Sequence, residues 1–305
     1  MSKILITGGS GLLGKAISEI LLKNNEEVVW LSRKEGFYKG IKKYKWDIDA
    51  KFIDERAFEN VEHIIHLAGA GIADKKWSLA YKTEIINSRV KSSALVYDYV
   101  KKLNLPLKTL VGASGVGFYG ARCSQDVITE LEGPFNDFLA TTCVSWENSY
   151  KPFNELGIRT PIIRTGVVLS KNGGAYKKMI LPFKFNLGCS LGSGKQYFPW
   201  IHINDIASIF VYALKNEAMT GIYNATASEQ VTMNTFCKQL VKSINRFTFL
   251  PNIPTFALKL VMGEGYVMLT EGLKINNKKI INEGFKFQFE KLSDALSNIA
   301  NKTLL

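Results

Sequence analysis

Lys3-Ile4-Leu5-Ile6-Thr7-Gly8-Gly9-Ser10-Gly11-Leu12-Leu13-Gly14 is the stretch that decides the fold. Its opening residues read as a parallel strand buried on both faces, because apolar side chains run on without polar alternation. Gly8, Gly11 and Gly14 then follow at intervals of three, opening a helix whose apolar periodicity extends to about Lys23. Gly8 permits a tight strand-to-helix turn, Gly11 lets the backbone approach a pyrophosphate, and Gly14 allows the helix to pack closely on the sheet. The pyrophosphate would rest on the first turn, at Leu12 and Leu13, where free N–H groups and the helix dipole favour an anion. A glycine-rich turn with no ligand is the plainer alternative. Dinucleotide binding is favoured because the glycines follow the first strand, open a helix and head a β/α series.

That series is visible downstream. Glu27 to Ser32 reads as the second strand, a third ends near Trp46-Asp47, and His63 to Ala68 is the fourth. A long helix is predicted from about Ser78 to Lys102, a fifth strand at Thr109 to Ser114 and a sixth at Arg159 to Thr165. Short apolar strands alternating with helices predict an α/β fold, a doubly wound parallel sheet of Rossmann type. After Gly166 the glycine pairs and Pro182 and Pro199 break the rhythm. The expected organisation is a dinucleotide-binding domain over residues 1–170, with a return segment at about 204–228. A smaller C-terminal substrate lobe would comprise residues 171–203 and 229–305.

The second strand ends in Ser32-Arg33-Lys34. An NAD-binding chain needs a carboxylate here to grip the ribose 2′-hydroxyl. Two cations suit the 2′-phosphate of NADP instead, through charge-assisted hydrogen bonds. An ordinary basic strand end is the alternative.

Composition bounds the remaining classes. The 305 residues carry 39 Lys and Arg against 27 Asp and Glu, a formal charge of +12. Such a surplus attracts polyanions, but the lysines are scattered, and a solvated basic surface is the simpler reading. Nucleic acid is not expected as a partner, since no motif interleaves aromatic and basic residues. No apolar run is long enough to span a membrane, so no membrane partner is expected, and a secretory signal is not expected either. Cys123, Cys143, Cys189 and Cys237 are dispersed, as in a reducing cytoplasmic protein. His63 and His66 would face opposite sides of a strand, so no metal site is expected. The expected partner is a small-molecule substrate.

The chain resembles the extended short-chain dehydrogenase/reductases, in their NAD(P)-dependent epimerase/dehydratase branch. The resemblance rests on the glycine motif, Trp46-Asp47-Ile48, His66-Leu67-Ala68-Gly69, Gly117-Phe118-Tyr119-Gly120 and the run from Trp200 to Ile206. The match narrows to an atypical epimerase-like subgroup through residues 66–77, 137–147 and 164–175, with a distinctive C-terminal segment from Pro251 to Leu296. It implies that Gly8, Gly11, Leu13 and Gly14 hold the pyrophosphate, that Ser32 and Arg33 hold the 2′-phosphate, and that Leu67, Ala68 and Gly69 line the adenosine. Asp47 would either meet the adenine amino group or cap its own turn. Arg89 stands where the wider family has an asparagine facing the cofactor, and Glu84 lies near it; a surface ion pair is the alternative for both. The resemblance also implies a substrate that is nucleotide-linked.

The chemistry departs from the family. A Tyr-x-x-x-Lys pair normally moves the proton, the lysine lowering the tyrosine pKa. Alignment of the helix on Glu147 puts Leu139 and Cys143 in those places, and neither can do that work. Ser114 and Tyr119 are the remaining catalytic candidates, although Gly115 stands at the family's usual serine spacing. His202 reads as a core or cap residue. Two functions stay open: an NADP(H)-dependent epimerase/dehydratase-like oxidoreductase, or a non-catalytic NADP(H)-binding sensor or partner-binding protein.

Overall fold

The structure, a computed structural model, describes residues 2–301; Met1 and residues 302–305 of the expected C-terminal lobe lie outside it. β1 (Lys3–Thr7) passes through the glycine turn into α1 (Leu12–Lys23) and β2 (Glu27–Ser32). β3 (Gly36–Tyr38), β4 (Ile41–Asp47), β5 (Phe52–Ile53) and β6 (Val61–His66) precede the long α2 (Leu79–Lys102) and β7 (Thr109–Gly115). β8 (Cys123–Ile128), α3 (Phe138–Asn148), α4 (Lys151–Glu155), β9 (Ile162–Thr165) and β10 (Val167–Ser170) follow. Then come α5 (Gly174–Lys184), β11 (Trp200–His202), α6 (Ile203–Lys215), β12 (Ile222–Ala225), α7 (Met233–Ser243) and α8 (Thr255–Met262). α9 (Val267–Thr270), β13 (Gly272–Ile275), α10 (Lys278–Asn282) and α11 (Leu292–Asn301) complete the described chain.

The main sheet runs β12-β9-β7-β6-β1-β2-β4-β3, with β5 added on β4, and is parallel except where β3 and β5 pair antiparallel with β4. The strand order reverses between β1 and β6, and a ligand crevice belongs outside the carboxyl ends of the strands at such a point. Thr7 ties the two ends together there: its Oγ1 accepts the N–H groups of Leu67 at 3.1 Å and Ala68 at 3.2 Å. The third strand, expected to end near Asp47, is the second arm of a hairpin. Its turn holds Lys39 at φ 48° and Gly40 at φ 84°, and two such residues in succession favour tight antiparallel return. A lysine in the left-handed region gives no sequence signal for this turn.

Side-chain caps set several helix starts. Ser78 accepts the N–H of Tyr81, Asp137 that of Ala140, and Thr232 that of Thr235. The largest apolar core surrounds the main sheet; a second joins β10, α5, α7 and α11 through Tyr176, Phe183, Phe236 and Leu292. A third, small cluster comprises Phe118, Tyr119, Ile128, Cys143, Leu273 and Ile275. It forms because β8 pairs in parallel with β13. The C-terminal segment thus recruits residues 123–128 from within the first half, which the sequence reading left in the dinucleotide-binding part. Most of β8 is exposed, so it carries no apolar pattern to reveal the pairing.

Candidate functional site

The glycine turn leaves an open, uncapped helix start. Gly8 adopts φ +70°, and a Cβ there would lie 3.0 Å from the Leu67 backbone, so its glycine serves both conformation and close approach. Gly11 donates its N–H to the Gly8 carbonyl at 3.0 Å, and a Cβ on Gly11 would meet only that carbonyl oxygen, at 3.2 Å. Space in front of Gly11 is open. α1 has no side-chain cap, and Lys15 is the first residue whose N–H bonds back, to Gly11 at 3.1 Å. The N–H groups of Leu12, Leu13 and Gly14 therefore lack intrahelical acceptors. The Leu12 side chain turns toward Gly173 and Gly174, where a Cβ would lie 3.6 and 3.4 Å from it.

Gly14 acts differently from expectation. A Cβ there would fall 2.6 Å from Gly9 Cα and 2.7 Å from the Gly8 oxygen, so it makes room for the glycine turn rather than for the sheet. Gly9 went unnoticed in the sequence, yet its Cβ would lie 2.4 Å from the Trp30 ring. Trp30 Nε1 donates to Ser18 Oγ at 2.9 Å, and Ser18 donates to the Gly14 carbonyl at 2.7 Å. The turn is thereby held to both α1 and β2.

The other residues expected to face a cofactor separate into distinct roles. Ser32 closes β2, its Oγ accepting the Lys34 N–H at 3.4 Å, while Arg33 beside it is exposed. Asp47 caps its own turn, accepting the N–H groups of Asp49 and Ala50 at 3.1 and 3.0 Å. A Cβ on Gly69 would meet the Arg89 side chain at 3.0 Å. Arg89 is buried, donates from Nη1 to the Ala70 and Ile85 carbonyls at 3.0 and 2.8 Å, and stacks 4.7 Å from the Trp146 ring. Glu84 does not join it. The structure places Glu84 in an exposed ion pair with Lys75 at 3.6 Å, because it falls on the solvent side of α2.

A cavity of about 330 Å³ opens between the end of β7, α3, the β9–β10 link and residues 267–275. Leu139 and Cys143 both line it, as do Ser114 and Arg89. Cys143 Sγ lies 3.5 Å from the Gly115 carbonyl, and burial pushes its thiol up to about 11. It stays a neutral thiol at pH 7 and is a poor nucleophile.

Behind Ser114 stands a buried polar network that the sequence did not announce. Ser114 donates to Glu147 Oε1 at 2.6 Å, and Glu147 takes Arg164 as a fork, Nε to Oε1 and Nη2 to Oε2, both at 2.8 Å. Arg164 Nη1 donates to the Tyr119 hydroxyl at 2.9 Å, which donates to Asn224 Oδ1 at 2.8 Å. The Arg164 guanidinium also lies 3.3 Å from the Phe118 ring centroid. Tyr119 is fully buried, and burial raises its pKa. With its proton given to Asn224 and no face on the cavity, Tyr119 is corrected from acid–base candidate to structural anchor. Ser114 reaches the cavity, but its proton is directed at Glu147. One signal was available: Arg164 is a lone cation in the apolar strand Ile162-Ile163-Arg164-Thr165, and such a charge needs a buried partner.

His66 forms a second buried centre. Its Nδ1 lies 3.2 Å from the Tyr150 hydroxyl and its Nε2 3.2 Å from Ser92 Oγ. Ser92 donates its proton to the Arg89 carbonyl at 2.9 Å and Tyr150 donates its own to the Ala113 carbonyl at 3.1 Å, so either hydroxyl oxygen can accept the single N–H of the neutral ring. Burial pushes the imidazole down to about 3. His202 accepts the Asn204 N–H on Nδ1 at 3.1 Å and caps α6.

A family model described as the NAD dependent epimerase/dehydratase family matches residues 4–226, and one described as a domain of unknown function, DUF1731, matches residues 253–299. The chain is 33% identical over 298 residues to the epimerase family protein YfhF of Bacillus subtilis, covering 97% of each. It is 30% identical to the epimerase family protein SDR39U1 of Mus musculus, covering 97% of this chain and 99% of that protein. The crystal structure of human epimerase family protein SDR39U1 (isoform 2) with NADPH superposes with a TM-score of 0.87 at 29% identity, covering 98% of this chain and 99% of that one. UDP-N-acetylglucosamine 4-epimerase from Bacillus cereus shares the fold, with a TM-score of 0.78 at 17% identity over the whole of both chains.

Two measurements probe the buried groups. Removing one member of a buried pair leaves the other charge uncompensated, so Arg164→Leu and Glu147→Leu should each cost about 3–5 kcal/mol in denaturant unfolding. The double variant should lose clearly less than the sum; strict additivity would show that the pair is not coupled. For His66 the folded pKa lies below the ordinary value of 6.5. Its contribution is complete above that value and is lost as pH falls toward the folded one. Wild type should therefore lose about 2 kcal/mol from this group between pH 7 and pH 5, and His66→Gln should flatten that slope in urea melts.

Proposed function

This chain belongs to the NAD dependent epimerase/dehydratase family, and we propose that it is an NADP(H)-binding oxidoreductase-type protein acting on a small molecule held beside Ser114. The observation that carries this reading is the uncapped first turn of α1 above an open Gly11, with the exposed Arg33 at the end of the neighbouring strand. The turn suits a pyrophosphate and Arg33 suits a 2′-phosphate, as the NADPH in the human relative's structure supports. When bound, NADP(H) supplies a hydride donor or acceptor. Gly8, Gly11, Leu12, Leu13 and Gly14 would hold its pyrophosphate, Ser32 and Arg33 its 2′-phosphate, and Leu67, Ala68 and Gly69 the adenosine side. Residues 171–203 and 229–305 act in this reading as the substrate lobe, and a reducing compartment such as the cytoplasm suits the four free cysteines.

A second reading has its own support. Each polar group that could move a proton from the cavity wall near α3 is committed or neutral. The Ser114 proton goes to Glu147, the Cys143 thiol stays protonated, and Arg89 is bound to two carbonyls. With Leu139 in the tyrosine's place, this favours a protein that binds NADP(H) as a sensor or partner-binding module.

A 2′-phosphate held by Arg33 should make NADPH bind about ten- to a hundredfold tighter than NADH, the equivalent of roughly 1.5–3 kcal/mol for a charge-assisted bond. Arg33→Ala should collapse that difference, and Gly11→Val should abolish binding while circular dichroism stays unchanged. Calorimetric titration checks both; equal affinities in the wild type would sink the assignment. Loss of general acid–base assistance removes about 10²–10⁴-fold in rate. UDP- and GDP-sugars assayed for epimerised product and NADPH consumption should therefore show negligible turnover. Robust turnover would instead rule out the sensor reading.

A further inference from the structure

Residues 171–202 and 231–263 carry five and four basic side chains respectively and not one Asp or Glu. All nine cations are exposed; one of them, Lys178, pairs with Asp74 at 3.7 Å. The two stretches pack together through the second core, so three quarters of the chain's net charge of +12 is gathered on one part of the molecule. On the same part, Leu181, Phe185, Leu187, Phe247 and Phe249 are each between 58% and 69% exposed. They are neighbours: the Phe247 N–H donates to Asn186 Oδ1 at 3.4 Å, the Thr248 hydroxyl donates to the Gly188 carbonyl, and the Phe247 and Phe249 rings lie 6.2 Å apart. Cations alternate with them along the chain, Lys184 before Phe185 and Arg246 before Phe247. Just downstream, α8 exposes Phe256, Leu260 and Val261 around Lys259.

We propose that this face docks on an anionic lipid surface, the phenylalanines and leucines entering the headgroup boundary and the flanking cations meeting lipid phosphates. Apolar protrusions ringed by Lys and Arg are what such a surface binds. The charge pattern selects this occupant. A second copy of the chain would set one cationic face against another. A single-stranded nucleic acid would use the rings as stacking platforms but leave Leu181, Leu187, Leu260 and Val261 without a partner. Side chains this exposed protrude and do not line a groove for a peptide. No helix among the described residues is long and apolar enough to cross a membrane, so the contact is peripheral. This revises the sequence-based expectation of no membrane partner and does not depend on the NADP(H) reading.

The test is co-sedimentation of the full chain with phosphatidylcholine vesicles and with phosphatidylcholine–phosphatidylglycerol vesicles. Binding is expected only to the second, weakening with salt. Each cation near an anionic surface contributes about fivefold, so Lys184→Gln/Lys242→Gln/Arg246→Gln should bind about a hundredfold more weakly. Phe247→Ser/Phe249→Ser should also lose most binding. NADPH titration and thermal melts should match wild type in both variants, because the changed side chains are exposed. No sedimentation with anionic vesicles would overturn the proposal, and so would binding that ignores the phenylalanine substitutions. Equal binding to neutral vesicles, tighter binding to a single-stranded oligonucleotide, or a stable dimer that dissociates in the phenylalanine variant would overturn it as well.

Discussion

The Arg164–Glu147 pair is the constraint on which the arrangement around the cavity depends. Burying two charges costs several kcal/mol per ion, repaid only when geometry and further hydrogen bonds satisfy them. Here the fork is complete, and the remaining groups are used to tie elements together. Ser114 anchors the end of β7 to α3, Tyr119 anchors the loop after β7 to β9, and Asn224 carries the chain of bonds into β12. Asn224 also donates to the Asn276 carbonyl at 3.2 Å, so the network reaches the C-terminal segment. A change at either charge would therefore reach strand ends, helix and lobe together.

The same network has a chemical consequence. Family chemistry needs a proton donor at the cavity, with its pKa tuned near neutrality. In this chain the two hydroxyls that the sequence offers as candidates are drawn into structure: Tyr119 is sealed under Arg164, and Ser114 points its proton at a carboxylate. The residues that the sequence resemblance puts in the positions of the family's tyrosine and lysine, Leu139 and Cys143, are an aliphatic side chain and a buried thiol. The glycine turn keeps an open approach at Gly11 and an uncapped first helical turn. The two regions are built from different elements, the glycine turn from β1 and α1 and the cavity wall at Leu139 and Cys143 from α3, so one can change without distorting the other.

Much of this could be read from the sequence. The β/α alternation and the glycine turn that opens the first helix act locally, through side-chain period and backbone conformation. These are properties of a few neighbouring residues, and a single chain displays them directly.

Tertiary structure decided what depends on partners distant in sequence. Glu147 meets Arg164 across a helix–strand packing, and His66 on β6 meets Ser92 of α2 and Tyr150 of the α3–α4 link. Gly9 is required by Trp30, a clash that exists only once β2 lies beside β1. β8 belongs with β13 although 144 residues separate Ile128 from Gly272, and its mostly exposed side chains leave no periodic trace of that pairing. The basic stretches 171–202 and 231–263 lie apart along the chain and come together only through the second apolar core. Periodicity and local chemistry specify elements and turns; the partners of buried charges and the make-up of a surface are fixed by which elements the core brings into contact.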